Sequence, residues 1–269
     1  MIIKNMLSNF KRYRFLMFQL IQRDFKVKYK RSVLGVFWSI LQPVLMMTVM
    51  AVVFSQMFKF SVPGVNYLVY LMTGIIMFNY FSEATTNAMT SVVYNFTLMN
   101  KIYIPKYIFP IAKCLFVGIN FLLTLIPWFA IILLSHVGLG EISCPLSIWY
   151  ILLPYIFVCF FMFTLGIGMI VACISVFLRD MFYIFGILLT IWNYLTPVFY
   201  SLEIIPESIR WLFKCNPLYL FLTGVRSIVL FGQRPSLTQM GLMGIEGLAC
   251  LAIGLLIFKK KQDKFIYYV

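Results

Sequence analysis

Ionisable and amide side chains are scarce in this sequence, so the few inside apolar runs define where chemistry could occur. Asn79, Glu83, Thr86/Asn87 and Thr90/Ser91 recur near every fourth residue, which puts them on one face of a helix. A carboxylate in an apolar run is a candidate for holding a polar substrate, because hydrocarbon offers it no other partner. The same stripe would equally serve as a contact with a neighbouring helix. Glu246 sits in another run beside Gly241, Gly244 and Gly247, and glycines at that spacing suit close helix packing. Phe185, Trp192 and Phe199 recur at intervals of seven, joined by Tyr194 and Tyr200. Such a stripe packs a helix or, since sugar rings present apolar C–H faces, walls a path for a glycan.

Catalytic constellations are missing from the sequence. No glycine-rich loop ends in Gly-Lys-Ser/Thr, so ATP phosphates cannot be cradled in the P-loop manner. The single histidine, His136, falls at the end of an apolar run. No two carboxylates have metal-binding or acid–base spacing, and no metal site is expected. Cys114, Cys144, Cys159, Cys173, Cys215 and Cys250 lack close-paired metal spacing and read as small apolar packing residues. A Cys144–Cys215 disulfide is conceivable, but nothing in the sequence supports it. An enzyme of glycan or lipid-carrier synthesis embedded in the membrane is the alternative to a transport protein. It would need a polar catalytic cluster.

The elements that position these residues follow from composition. Of 269 residues, 62% are hydrophobic and 11% charged, with a mean hydropathy of +0.95. Too little charge remains to solubilise a globule. The net charge is +14, and its placement excludes nucleic acid as the natural partner. Nine of the 22 basic residues lie in residues 1–33 with one acid, Asp24, and four more (Lys259, Lys260, Lys261, Lys264) close the chain. Basic clusters beside apolar runs mark cytoplasmic membrane edges.

The expected fold is therefore an all-α polytopic membrane protein. Residues 1–32 form an amphipathic helix at the cytoplasmic interface: Met6, Phe10, Tyr13, Met17 and Leu20/Ile21 repeat every three or four positions, with Lys and Arg opposite. Residues 33–258 hold six spans, at about 33–57, 67–92, 108–135, 148–177, 182–200 and 237–258. A basic loop covers 94–107. Segment 202–231, with Pro206 and Asn216-Pro217, reads as two short helices dipping into the outer face. Residues 259–269 form a basic tail. An even span number with this lysine and arginine bias places both termini in the cytoplasm of a bacterial cell, with the spans in its inner membrane.

Several runs together resemble one family. Arg23-Asp24-Phe25, Lys28-Tyr29-Lys30, Ser32-Val33-Leu34-Gly35, Trp38 and Leu41-Gln42-Pro43 open the chain. Asn100-Lys101 with Pro105, Phe177-Leu178-Arg179-Asp180, Leu195 to Tyr200, Pro206 and Asn216-Pro217 follow in order. This is similar to the membrane-spanning permeases of polysaccharide-exporting ATP-binding-cassette transporters, of the type 2 family. The resemblance implies a homodimeric channel on two separate ATP-binding subunits, which carry ATP and Mg, with no cofactor on this chain. It implies a cargo on a lipid carrier: O-antigen first, with capsule or teichoic acid as alternatives. It assigns Asn95, Asn100, Lys101, Pro105 and Lys106, with Arg179 and Asp180, to contact with the ATPase. Spans one and five would line the path, making Trp38, Phe185, Trp192, Tyr194, Phe199 and Tyr200 its aromatic candidates. Position alone, near the entry, makes Arg23, Lys28 and Arg31 candidates to meet the carrier's phosphates, and Asn79, Glu83 and Asn87 form the polar stripe.

Overall fold

The computed structural model describes residues 2–30, 32–51, 53, 64–96, 104–136 and 143–268. Among them every regular element is helical. We number the α-helices α1 (Ile2–Tyr29), α2 (Trp38–Ala51), α3 (Tyr67–Tyr94), α4 (Ile108–His136), α5 (Leu153–Phe177), α6 (Met181–Leu195), α7 (Arg210–Lys214), α8 (Pro217–Val229) and α9 (Leu237–Lys261). A 3₁₀ turn, Ile148–Leu152, precedes α5, and another, Gln262–Tyr267, follows α9.

Helix starts are set by short polar side chains. The Asn66 side chain accepts from the Leu68 and Val69 amides to begin α3, and Ser236 accepts from Gln239 to begin α9. Asn216 caps α8 with Pro217 in the first turn, where a missing N–H costs nothing. Gly35 sits at φ +51°, a left-handed conformation that turns the chain between α1 and α2.

Helix α3 is the centre of the bundle. Its buried side chains, from Val69 to Val92, pack on α4 and α5 along most of its length. The closest pair is α5 with α9, where backbones meet at glycines. α1 ends alongside α4, with Phe25 edge-on to Phe116 at 4.8 Å between ring centres.

Three helical stretches are long and apolar enough to cross a membrane: Ile108–His136, Ile148–Phe177 and Leu237–Phe265. α3 has 28 residues, about 42 Å at ~1.5 Å per residue, but its polar stripe lowers its hydropathy. α2 and α6 are shorter apolar helices of 14 and 15 residues. The chain is an integral membrane protein whose regular elements, among the described residues, are all helices.

Candidate functional site

A polar recess opens where α1 meets α2, α3 and α4. It has a volume of about 110 Å³, and Lys28, Ser39, Gln42, Asn79, Glu83 and Asn120 contribute its polar lining with Thr124 and Tyr80. Lys28 Nζ lies 3.1 Å from Glu83 Oε1, both partly exposed. Tyr29 donates to Asn120 Oδ1 at 3.2 Å and pairs with the Ser39 hydroxyl. Asn120 Nδ2 and the Tyr80 hydroxyl are buried without a hydrogen-bond partner. Unpaired donors beside an ammonium suit an oxygen-rich guest such as a phosphate or a sugar hydroxyl.

The structure thus joins Lys28 to two members of the polar stripe, Asn79 and Glu83. Asn87 belongs elsewhere: its side chain donates to the Glu83 carbonyl at 2.8 Å, back along its own helix. Sequence reasoning missed Ser39, Asn120 and Thr124. The signal was present as Asn120 and Thr124, four apart in the apolar stretch of α4 between Lys113 and Ser135.

Arg23 is not part of this recess. Its guanidinium donates to Asn95 Oδ1 at 3.1 Å and reaches Asp24 at 3.2 Å, while Asp24 also pairs with Lys113 at 2.8 Å. These contacts tie α1 to the ends of α3 and α4. Arg31, Asn100 and Lys101 lie outside the described residues.

The ends of the remaining ATPase-contact candidates come together through the C-terminal residues. Lys106 Nζ donates to the Gln262 carbonyl at 2.7 Å and sits 5.7 Å from the Phe265 ring centre. Burial pushes the Lys106 ammonium below its ordinary value, with Asp263 opposing. Phe265 is fully buried and packs on Phe177 and Phe258, and Tyr268 packs on Phe177. Phe177 leads directly into the exposed Arg179-Asp180 turn. Residues 259–261 end α9, and the 3₁₀ turn after them packs as a strap between the two turns. The cause is Phe265, an apolar side chain that finds a pocket under the lysines. Pro105 precedes Lys106 at partial exposure.

At the opposite end, the segment after α6 is pinned from two sides. Arg226, 5% exposed, donates to the carbonyls of Pro197 (2.7 Å), Val198 (3.0 Å) and Tyr70 (3.1 Å), and stacks 3.5 Å over the Tyr70 ring. Tyr70 donates to the Tyr200 carbonyl at 2.6 Å and Tyr67 to that of Phe199 at 3.1 Å. Asn216 donates to the Leu195 carbonyl and the Thr196 hydroxyl and accepts from Trp192 Nε1 at 2.8 Å. The residues Leu195 to Tyr200 and Asn216-Pro217 are thus two halves of one hydrogen-bonded corner. Arg226 was not singled out from the sequence, although a lone arginine within an apolar helix was the available signal.

This corner also fixes the aromatic stripe. Phe185 is 3% exposed, and Trp192 packs edge-on against Phe81 with ring centres 5.0 Å apart. Both face the bundle. The outer face of α6 carries Tyr183, Ile184, Ile187, Ile191 and Tyr194. Phe199 and Tyr200 are half-buried at the corner, and Trp38 is exposed at the start of α2. Among the aromatic candidates, Trp38 and Tyr194 are exposed, whereas Phe185 and Trp192 pack against the bundle. Cys144 is a buried free thiol and Cys215 an exposed one.

No cluster of three or more His, Cys, Asp or Glu side chains that could hold a metal occurs among the described residues. Residues 16–230 match the family described as ABC-2 type transporter. The chain belongs to that family. Among its relatives, the O-antigen export system permease protein RfbA of Klebsiella pneumoniae is 29% identical over 245 residues, 90% of each chain. The protein of the same name from Myxococcus xanthus is 28% identical, covering 94% of this chain and 95% of its own. The polysialic acid transport protein KpsM of Escherichia coli is 22% identical, covering 92% and 93%. As an ABC-2 type transporter the chain falls in a transport family rather than an enzyme family, and its pinned corner and the second half of its basic N-terminal helix lie inside the matched residues.

Proposed function

We propose that this chain is the permease subunit of an ATP-driven exporter that moves a lipid-linked polysaccharide across the bacterial inner membrane. The observation that carries the reading is end-to-end similarity, 90% of both chains, to permeases named for O-antigen export. O-antigen is accordingly the first cargo class, with capsule next, since relatives named for polysialic acid and capsule export also align. Six spans, both termini cytoplasmic, fit the lysine and arginine placement. ATP and Mg belong to separate ATPase subunits, because the sequence has no P-loop. Two copies form the channel, with the exposed faces of α2 and α6 as its walls.

In this reading Lys28, with Asn79, Asn120 and Tyr80, meets the carrier's phosphate as cargo is loaded. The strap over Lys106 and Phe177 passes the ATPase stroke to both cytoplasmic turns. The test is export in cells lacking the gene, with labelled polymer located on either side of the membrane. Full-length polymer held in the cytoplasm and released by the restored gene supports an exporter. Polymer that is never made overturns it in favour of a synthetic enzyme.

A further inference from the structure

Two neighbouring spans gauge the depth of the polar stripe on α3. Phe81 stacks on Phe163 with ring centres 5.9 Å apart, and Phe163 lies at the middle of the membrane-spanning stretch Ile148–Phe177. Tyr80 meets Phe121 at 4.7 Å, close to the middle of Ile108–His136. Asn79 and Glu83 flank these two rings in the sequence. They therefore sit near mid-membrane, about 15 Å from either surface of a ~30 Å core.

At that depth their side chains stay open. Asn79 is exposed, as is Gln42 of α2, and the Lys28 and Glu83 side chains are 38% and 44% exposed. Three helices thus supply polar groups to one recess: Lys28 from α1, Gln42 from α2, and Asn79 with Glu83 from α3. The outward faces of α4 and α9 differ. Leu122, Ile126 and Leu133 on the first, and Ile245, Leu248 and Leu256 on the second, are exposed and apolar. Those faces suit lipid. An ammonium, a carboxylate and two amides open at mid-membrane do not, and such groups face water inside the protein.

The donors and acceptors select the guest. Lys28 only donates and Glu83 only accepts, whereas the Asn79 and Gln42 amides do both. A phosphate satisfies Lys28 but leaves Glu83 facing an anion. Sugar hydroxyls, which donate and accept, satisfy all four. The recess measures about 110 Å³, and a cavity of ~150 Å³ takes a benzene ring. It therefore admits one edge of a single sugar ring and holds no polymer, as a passage wall should.

We propose that Lys28, Gln42, Asn79 and Glu83 form the wall of a water-filled path at mid-membrane, where the hydroxyls of the passing glycan exchange hydrogen bonds with them. The path gains α3 as a wall beside α2 and α6. That the passing polymer is a glycan rests on the function proposed above; that the face is wet does not.

The test places single thiols at Asn79→Cys and Gln42→Cys, with Leu122→Cys and Ile126→Cys as lipid-facing controls, in the full chain in native membranes. The reagent is 2-sulfonatoethyl methanethiosulfonate, a charged compound that reaches thiols through water. Tagged peptides are quantified by mass spectrometry, which separates them from the native exposed Cys215. Both path thiols are expected to react at least tenfold faster than both controls. Export by the two path variants is expected to fall several-fold on tagging and to return when dithiothreitol removes the tag. Positions on two helices keep the test open where one variant does not fold. Path thiols that react no faster than the controls overturn the proposal in favour of a dry contact. Tagging that leaves export intact overturns the assignment of the wet face to the glycan. Labelling needs no cargo, so a failure of the exporter reading shows in the wild-type export assay and not in the labelling rates.

Discussion

Gly254 of α9 rests directly on the carbonyl of Gly166 in α5, and a β-carbon on Gly254 would collide with that oxygen. Two turns away, a β-carbon on Gly247 would stand 2.6 Å from the Cys159 carbonyl. The two helices touch backbone to backbone, the form of association available where hydrocarbon gives no hydrophobic drive. Gly254→Ala must push α9 outward, at about 1–3 kcal/mol for an overpacked contact. Gly241→Ala, facing open space, leaves stability unchanged. Loss of the monodisperse species on heating in detergent, compared between the two variants, checks this.

The three clearly membrane-spanning helices were legible because apolar runs have visible ends: α4 covers Ile108–His136 where the run reads 108–135. The glycines of α9 were legible as a packing signal, but not which of them touch. A single sequence gives a period and no partner, so Gly254 and Gly166 were missed and Gly241 was included. The direction of the α6 stripe was illegible for a related reason. In a membrane helix both the packed and the lipid faces are apolar, so hydrophobicity cannot mark the inward side as it does in water. The strap escaped notice because its lysines masked Phe265.

Arg226 supplies donors to the two corner carbonyls, Pro197 and Val198, that no helix pairs, and ties them to the Tyr70 carbonyl of α3. Truncating it to Leu leaves the Val198 carbonyl without this donor and Pro197 with only the Tyr70 hydroxyl at 3.4 Å, a cost of about 1–3 kcal/mol. Arg226→Lys cannot reproduce the planar fork and recovers only part. Both variants are expected to melt earlier than wild type, Leu before Lys. Equal melting of all three would show that the carbonyls are satisfied another way.

Trp192 and Tyr194 separate packing from path. Trp192→Phe loses the bond to Asn216 Oδ1, so its effect falls on thermal stability, about 0.5–1.5 kcal/mol for one hydrogen bond. Tyr194→Ala removes an exposed ring. It keeps wild-type stability while lowering export if the outer face of α6 meets the glycan. Export and melting measured on the same membranes distinguish the two.

The strap carries its own pH dependence. Because burial lowers the Lys106 ammonium, the docked strap binds fewer protons than the released one. Docking therefore strengthens as pH rises from the depressed value toward the ordinary 10.5. Lys106→Met is expected to flatten this slope, and Phe265→Ala to release the strap at every pH. Protease cleavage after Lys261 or Lys264, followed against pH in wild type and both variants, reads the docked fraction.

Lys28 and Glu83 form a partly exposed pair, so their attraction contributes little to stability, roughly 0–1 kcal/mol. Their placement in the recess has a larger consequence for loading. Lys28→Glu sets two carboxylates side by side where an anionic carrier would approach, and Glu83→Lys sets two ammonium groups there. The swapped pair, Lys28→Glu with Glu83→Lys, restores the salt bridge but moves the cation from α1 to α3. If the pair only fastens α1 to the bundle, the swap exports as well as wild type. If Lys28 itself meets the phosphate, the swap folds normally and export stays low, because the ammonium now projects from another wall. The second outcome is the expected one, read as polymer reaching the outer side against the melting temperature of the same variant.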